Sequence, residues 1–272
     1  MSWRRFLLVP RLALTGTRRA PPPAAAWEAY WRDVGTTGPD GEVLWDGAGE
    51  AELAWWRSAA GRYLDAALPV VDVGCGNGRL SRLLAADHPA VVGVDVSPAA
   101  VERARRESEG LADVSFRVCD VTAEGAGRAL AAELGPADVV VRGVFHVLDR
   151  QARRRAAAEL ADVLGDRGTL LLLETNWQGD LLGYLEHLGG RRGRLPGALA
   201  RLVDYRLPRP SAFGPRELAE TFPAPAWTTV ASGPVEIVPV RGLGPASGRT
   251  IPGFSAVLRA TGPAARGDPA RT

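Results

Sequence analysis

Three glycines at alternate positions, directly after a short apolar run, constrain this chain more than any other feature. The run is Val70 to Val73, interrupted only by Asp72, and the glycines are Gly74, Gly76 and Gly78. The pattern after Gly78 becomes helical, so the stretch predicts a buried strand, a tight loop and a helix. Glycines let a main chain approach a ligand closely, and the free N–H groups that open a helix favour polar or anionic atoms. The sequence therefore predicts a ligand site built from backbone.

The same stretch, completed by Cys75 and Asn77, resembles the first motif of the class I S-adenosylmethionine-dependent methyltransferases. In the competing dinucleotide fingerprint G-x-G-x-x-G, the third glycine would fall one residue later, where this chain has Arg79. The resemblance implies that S-adenosylmethionine is the cofactor. It also implies that Asp72, the three glycines and Cys75 bind it.

Two further acids follow apolar runs. Asp95 ends the run from residue 90, at the distance beyond the glycines where a ribose-binding carboxylate is expected. Its two oxygens can accept from both hydroxyls of a ribose. The run Val114 to Val118 predicts a third strand, and Asp120 follows it. By the resemblance, Val96 lies in the cofactor site, Asp120 accepts from the adenine amino group, and Val121 presents its backbone N–H to the ring.

The alternation of strand and helix patterns indicates an α/β protein with a parallel sheet. Residues 138–142 and 168–174 predict the fourth and fifth strands. Later runs, Trp227 to Val240 and Gly253 to Ala260, predict an antiparallel pair joined by Arg241 to Pro245. Together with the resemblance, this predicts a doubly wound, Rossmann-like, seven-stranded and mostly parallel sheet with a C-terminal antiparallel hairpin.

The end of the fourth strand is expected at the other side of the ligand crevice. In open α/β sheets, ligands bind beyond the carboxyl ends of the strands, where the strand order reverses. Arg142 is therefore predicted to bind the cofactor, and His146 is predicted to be the general base if the acceptor must lose a proton, because an imidazole accepts protons near neutrality. Glu174 and Asn176, after the fifth strand, are expected to orient a polar group of the substrate.

Composition and patterning predict four segments. Residues 1–26 are rich in arginine and contain no acid, which predicts a disordered basic tail, with a transit-like presequence as the alternative. Residues 27–64 predict helices that either pack on the domain or form a lid over the cofactor. Residues 65–260 are the predicted methyltransferase domain, with a cap insertion at about 176–209, and residues 261–272 predict a second disordered tail.

Several classes of partner are disfavoured by composition. A formal charge of +2 offers no field that implies nucleic acid. The Asn/Asp-Pro-Pro-aromatic motif of base-methylating relatives is absent, since Arg142 to Phe145 occupy its place. The two cysteines suit a reducing cytoplasm, and no ligand cluster with metal spacing is present. No apolar run approaches the roughly 20 residues that a membrane helix needs.

The predicted function is the transfer of a methyl group from S-adenosylmethionine to an O- or N-nucleophile of a small molecule by in-line displacement. The cofactor carries the hard chemistry, so the protein contributes mainly alignment of the nucleophile. Two alternatives stay open. One is a non-methylating S-adenosylmethionine-binding protein on the same fold, and the other is an NAD-dependent oxidoreductase. The acceptor and the oligomeric state are not determined by the sequence.

Overall fold

One mixed sheet organises the chain. The computed structural model describes residues 21–47, 50–190, 195–240 and 250–261. The strands run in the order β3-β2-β1-β4-β5-β7-β6, with β1 to β5 parallel and β7 antiparallel to both β5 and β6. They are β1 (Val70–Val73), β2 (Val91–Asp95), β3 (Val114–Val118), β4 (Asp138–Arg142), β5 (Leu170–Thr175), β6 (Trp227–Ile237) and β7 (Ile251–Ala260). This confirms the predicted fold, while the predicted link at 241–245 lies outside the described residues.

Helices cover both faces of the sheet. They are α1 (Pro23–Asp33), α2 (Glu50–Tyr63), α3 (Arg79–Leu84), α4 (Pro98–Glu107), α5 (Ala126–Leu134), α6 (Arg150–Leu164), α7 (Leu181–His187), α8 (Gly197–Asp204) and α9 (Pro215–Thr221), with short 3₁₀ helices at Leu44–Gly47 and Phe145–Val147. Within the part of the chain that the structure describes, none of these helices is long and apolar enough to cross a membrane.

The N-terminal boundary differs from the prediction. Helix α1 begins at Pro23, whereas the predicted tail extended to residue 26. Proline suits the first helical turn because its missing N–H is not needed there, and the alanines that follow are strong helix formers. Residues 1–20 and 262–272, which make up most of the two predicted tails, lie outside the described residues.

The central strands are largely apolar because both of their faces are buried. Side chains alternate across a strand, so Val71 and Val139 pack in one cluster with Leu160 of α6. Val140 packs on the opposite face with Trp56 of α2. This two-sided burial explains why β1, β4 and β5 appear in the sequence as mainly apolar runs without strict alternation.

The sheet topology places four loops at one edge. Strand β1 lies between β2 and β4, so the direction in which strands are added reverses there. The loops after β1, β2, β3 and β4 therefore meet at the carboxyl end of the sheet, on the two sides of a crevice. This edge contains the residues that the sequence analysis singled out.

Helix α1 and the insertion after β5 are joined to each other. Arg201 of α8 forms ion pairs with Asp33 and with Glu42, both at 2.7 Å. The ring of Tyr205 packs edge-on against Tyr30, with ring centroids 6.0 Å apart. The insertion is thus fixed to the N-terminal segment, and α1 lies between it and the loops that follow β1 and β2.

We predict that Asp138→Ala destabilises the fold by at least about 2 kcal/mol. Asp138 is fully buried, and its carboxylate accepts from the N–H of Thr169 at 2.7 Å and from that of Asp65 at 2.6 Å. The alanine leaves both N–H groups without this acceptor. Denaturant unfolding followed by circular dichroism measures the change. Asp166→Ala, at an exposed residue of the loop before β5, is the matched control and should unfold like the native chain; equal stabilities for the two variants would contradict the prediction.

Candidate active site

The glycine loop adopts a backbone conformation that only glycine takes without strain. Gly74, Gly76 and Gly78 have φ values of +72°, +55° and +75°. A Cβ on Gly74 would lie 2.3 Å from Val144 Cγ2, and one on Gly76 would lie 2.8 Å from the ring of Trp31. A side chain at Gly74 or Gly76 is therefore disfavoured by its neighbours as well as by the backbone conformation. The loop is held to β2, because the N–H groups that follow β1 donate to the Val94 carbonyl at 2.8 and 3.0 Å.

Asp72 lies in β1 and is almost completely buried. The Ser81 hydroxyl, at the start of α3, donates to its Oδ2 at 2.5 Å. Burial raises the pKa of Asp72 to about 6, although the Ser81 hydrogen bond opposes that shift. The acid therefore joins the strand to the helix that follows the glycine loop.

Asp95 connects two of the loops at the carboxyl edge. Its Oδ2 accepts from the Gly76 N–H at 3.0 Å and its Oδ1 from the Ser97 N–H at 2.9 Å. Burial raises the pKa of Asp95 to about 6, despite these two hydrogen bonds, which favour the carboxylate. Val96, the next residue, is half-buried at the same edge.

Asp120 and Val121 follow β3, next to β2. The Cys119 N–H donates to the Asp95 carbonyl at 2.9 Å, so the end of β3 is hydrogen-bonded to the end of β2. Asp120 is exposed, and its Oδ1 accepts from the N–H and the hydroxyl of Thr122 at 2.8 and 2.7 Å. Val121 is buried in the core. The structure thus places both residues at the predicted edge.

Helix α1 lies over the first two loops. Glu28 Oε2 accepts from the Ser97 hydroxyl at 2.7 Å and from the Ala99 N–H at 2.9 Å, which fixes α1 to the start of α4. Trp31, only 4% exposed, covers Gly76. Both predicted roles of this segment are therefore compatible with its position, because the same aromatic residues pack in the core and border the glycine loop.

Arg142, at the end of β4, pairs with a residue that the sequence analysis missed. Its Nε donates to Glu52 Oε1 of α2 at 2.5 Å, and the Glu52 side chain is fully buried. Glu52 Oε2 also accepts from the Val238 N–H at 3.2 Å. No sequence signal links these residues, since the ion pair joins positions 90 apart in the chain.

A small cavity lies between α2 and the glycine loop. Within the described ranges, two buried N–H groups at this cavity, Arg142 Nη2 and Trp56 Nε1, have no hydrogen-bond partner. Asp46 is also buried and accepts from the Asn77 side-chain amide at 2.8 Å. Residues around the cavity include Trp45, Asp46, Glu52, Trp56, Asp72, Gly74 and Arg142. The cavity thus presents both positive and negative groups next to Gly74.

His146 belongs to the 3₁₀ helix after β4 and contacts Glu174 of β5. The distance from His146 Nδ1 to Glu174 Oε2 is 2.7 Å, and the histidine side chain is 13% exposed. The Cε1 atom lies 3.4 Å from the position that a Cβ on Gly143 would take. The structure therefore brings His146 to the β4 side of the crevice, opposite the glycine loop.

The expectation for Glu174 is corrected by these contacts. Glu174 is fully buried and hydrogen-bonded to the loop after β4, so it is not placed to orient a substrate. A carboxylate at a strand end can turn toward the crevice or toward the neighbouring loop, and the sequence does not distinguish the two. Asn176 lies close to Gly214, and its Oδ1 accepts from Gln178 at 2.7 Å.

The central part of the chain matches a known protein family. Residues 70–168 match a family model described as a methyltransferase domain. The match begins with β1 and ends two residues before β5. It contains the glycine loop, Asp72, Asp95, Asp120 and His146.

Solved structures extend the similarity to nearly the whole chain. An S-adenosylmethionine-dependent methyltransferase from Anabaena variabilis ATCC 29413 is 27% identical, with a TM-score of 0.76 over 90% of this chain and 97% of that one. The N-methyltransferase NodS from Bradyrhizobium japonicum WM9, in complex with S-adenosylhomocysteine, is 15% identical, with a TM-score of 0.52 over 87% and 99% of the two chains. At that identity, the likeness to NodS shows the fold alone. With its glycine loop, strand order and domain match, the chain is an S-adenosylmethionine-dependent methyltransferase similar to those of class I, and S-adenosylmethionine is its cofactor.

Proposed function

We propose that this methyltransferase transfers its methyl group to an O- or N-nucleophile of a small molecule, by in-line displacement, with His146 as the general base. The observation that carries the proposal is the position of His146 across the crevice from the glycine loop, with Nδ1 2.7 Å from Glu174. The cofactor, when bound, supplies an activated methyl group. The protein then has to align the nucleophile and take up its proton.

Adenosine binding is assigned to the edge formed by the loops after β1, β2 and β3. Asp95 is the proposed acceptor for the ribose hydroxyls, because it is a buried carboxylate beside Gly76. Gly74, Cys75, Gly78 and Val96 complete the backbone around it. Asp72 also lines the cavity beside Gly74 and is a proposed cofactor residue, held in place by its hydrogen bond from Ser81. Asp120 and Val121 are the proposed adenine contacts.

The methionine end of the cofactor is assigned to the cavity between α2 and the glycine loop. A carboxylate needs N–H donors, and Arg142 Nη2 and Trp56 Nε1 are buried donors without partners among the described residues. Asp46 offers negative charge for the ammonium group on the same cavity. The methionine end of the cofactor therefore fits these residues, because buried N–H donors without partners are otherwise costly.

The domain organisation supports a small acceptor. We propose that residues 65–260 form the methyltransferase domain, that α1 and α2 act as a lid, and that residues 176–209 act as a cap. The ion pairs of Arg201 with Asp33 and Glu42 join cap and lid. A covered crevice admits a small molecule more readily than a nucleic acid. A cytoplasmic location completes the proposal.

We predict that Asp95→Asn weakens the binding of S-adenosylhomocysteine at pH 7.5 by at least about tenfold, because hydrogen bonds to a charged acceptor contribute about 1.5–3 kcal/mol. Isothermal titration calorimetry measures the dissociation constant without turnover. Asp166→Asn, at an exposed residue, is the matched control and should bind like the native protein. Native affinity in the Asp95 variant would remove this residue from the ribose site.

The raised pKa of Asp95 predicts that the affinity for S-adenosylhomocysteine depends on pH. Burial raises the pKa of Asp95 to about 6, so the carboxylate is mostly ionised at pH 7 and mostly protonated at pH 5. A bound ribose favours the ionised form, so the affinity of the native protein should fall about tenfold from pH 7 to pH 5. The slope should be shallower in Asp95→Asn. An affinity that rises toward pH 5 would contradict the assignment.

We predict that His146→Ala lowers kcat about 100-fold or more and leaves the dissociation constant of S-adenosylhomocysteine within about twofold, because general base catalysis contributes to the chemical step alone. The acceptor is first identified by incubating the protein with labelled cofactor and a lysate of its own cells, followed by mass spectrometry of labelled products. His88→Gln is the matched control, since His88 precedes β2 at the opposite edge of the sheet. Unchanged turnover in His146→Ala would exclude the base role.

A further inference from the structure

We infer that Glu174 is a positioning residue that holds His146 in the Nδ1–H tautomer, so that Nε2 is the atom that accepts the proton of the acceptor. The inference rests on the proposed role of His146 as the base. Glu174 then determines which ring nitrogen is available to the substrate, and it does not itself contact the substrate.

Four N–H groups surround the Glu174 carboxylate. Oε1 accepts from the backbone N–H of Val144 at 3.0 Å and of Phe145 at 2.9 Å. Oε2 is 3.1 Å from the backbone N–H of His146 and 2.7 Å from its Nδ1. A carboxylate has about four lone-pair sites, so these four contacts use all of them.

The tautomer follows from the backbone partners. Backbone N–H groups can only donate, so three of the contacts require Glu174 to accept. With both oxygens occupied as acceptors, Nδ1 must carry a hydrogen to make the fourth contact. A neutral imidazole has one N–H, and Nε2 is then left with its lone pair.

The loop that carries His146 is also held from the opposite side. The Arg153 Nε donates to the Phe145 carbonyl at 2.7 Å, and the Ser211 N–H and hydroxyl donate to the His146 carbonyl at 2.9 and 2.8 Å. Glu174 thus binds the N–H groups of the loop while Arg153 and Ser211 bind its carbonyls. The backbone of this loop is therefore fixed on both sides, and the contact of Nδ1 with Glu174 restricts rotation of the ring.

Methyl transfer with His146 as the base needs no further protein group. As the nucleophile forms its bond to the methyl carbon, the bond from that carbon to sulfur breaks, and the proton of the nucleophile moves to Nε2. His146 becomes an imidazolium whose Nδ1–H still faces the Glu174 carboxylate at 2.7 Å. That charge is stabilised by the carboxylate until the proton passes to solvent.

Nuclear magnetic resonance tests the inference directly. The chain contains three histidines, so tag-free protein labelled with ¹⁵N-histidine gives few ring signals, and His146→Ala identifies those of residue 146. Long-range ¹H–¹⁵N correlation at pH 8 distinguishes the two tautomers. We expect a protonated Nδ1 and an unprotonated Nε2 in the native protein.

Glu174→Gln should reverse the tautomer. The glutamine has only one oxygen acceptor, so its amide group faces Nδ1 as a donor and favours a hydrogen on Nε2. We expect kcat to fall at least about tenfold, as for a base held in the wrong tautomer, with the dissociation constant of S-adenosylhomocysteine unchanged within about twofold. Ser211→Ala is the matched control, because it removes a contact to the His146 carbonyl without touching the ring, and it should keep the native tautomer.

The outcomes separate this inference from the proposed function. A hydrogen on Nε2 in the native protein, or an unchanged tautomer in Glu174→Gln, overturns the role of Glu174 even if His146→Ala is inactive. If the native protein has the Nδ1–H tautomer but His146→Ala keeps full turnover, the proposed role of His146 as the base is wrong instead. If Glu174→Gln does not fold, the spectrum of the native protein alone decides the tautomer.

Discussion

The contact on which the site depends is the one between the Asp95 carboxylate and the Gly76 N–H, 3.0 Å apart. It joins the ends of β1 and β2, and the second oxygen of Asp95 fixes the start of the loop after β2 through Ser97. The glycine loop reaches this acid only because its residues adopt positive φ values. The shape of the cofactor crevice therefore depends on one buried acid and one left-handed loop.

Burying acids at this edge has an energetic cost. Burial raises the pKa values of Asp72 and Asp95 to about 6, so the folded state disfavours the charge that each carries near neutrality. Glu174 is equally buried but is surrounded by four N–H groups. The two sides of the crevice thus use carboxylates differently. Asp95 is proposed to present an acceptor to the cofactor, and Glu174 is proposed to hold the ring of His146.

The sequence predicted the centre of the sheet well because β1, β4 and β5 are buried on both faces and appear as largely apolar runs. Glycine spacing and strand ends likewise predicted the positions of Asp95 and His146 at one edge. Contacts between distant segments were not predictable, such as the pair of Glu52 with Arg142, because charge on a helix does not specify its partner. The direction of the Glu174 side chain was also missed, since a strand-end acid has the same pattern whichever loop it contacts.

A crystal structure of the protein with S-adenosylhomocysteine would show whether Asp95 binds the ribose. We expect both ribose hydroxyls within hydrogen-bond distance of the Asp95 carboxylate and the cofactor carboxylate against Arg142 Nη2. A ribose bound away from Asp95, with the contact between Asp95 and Gly76 intact, would contradict this expectation.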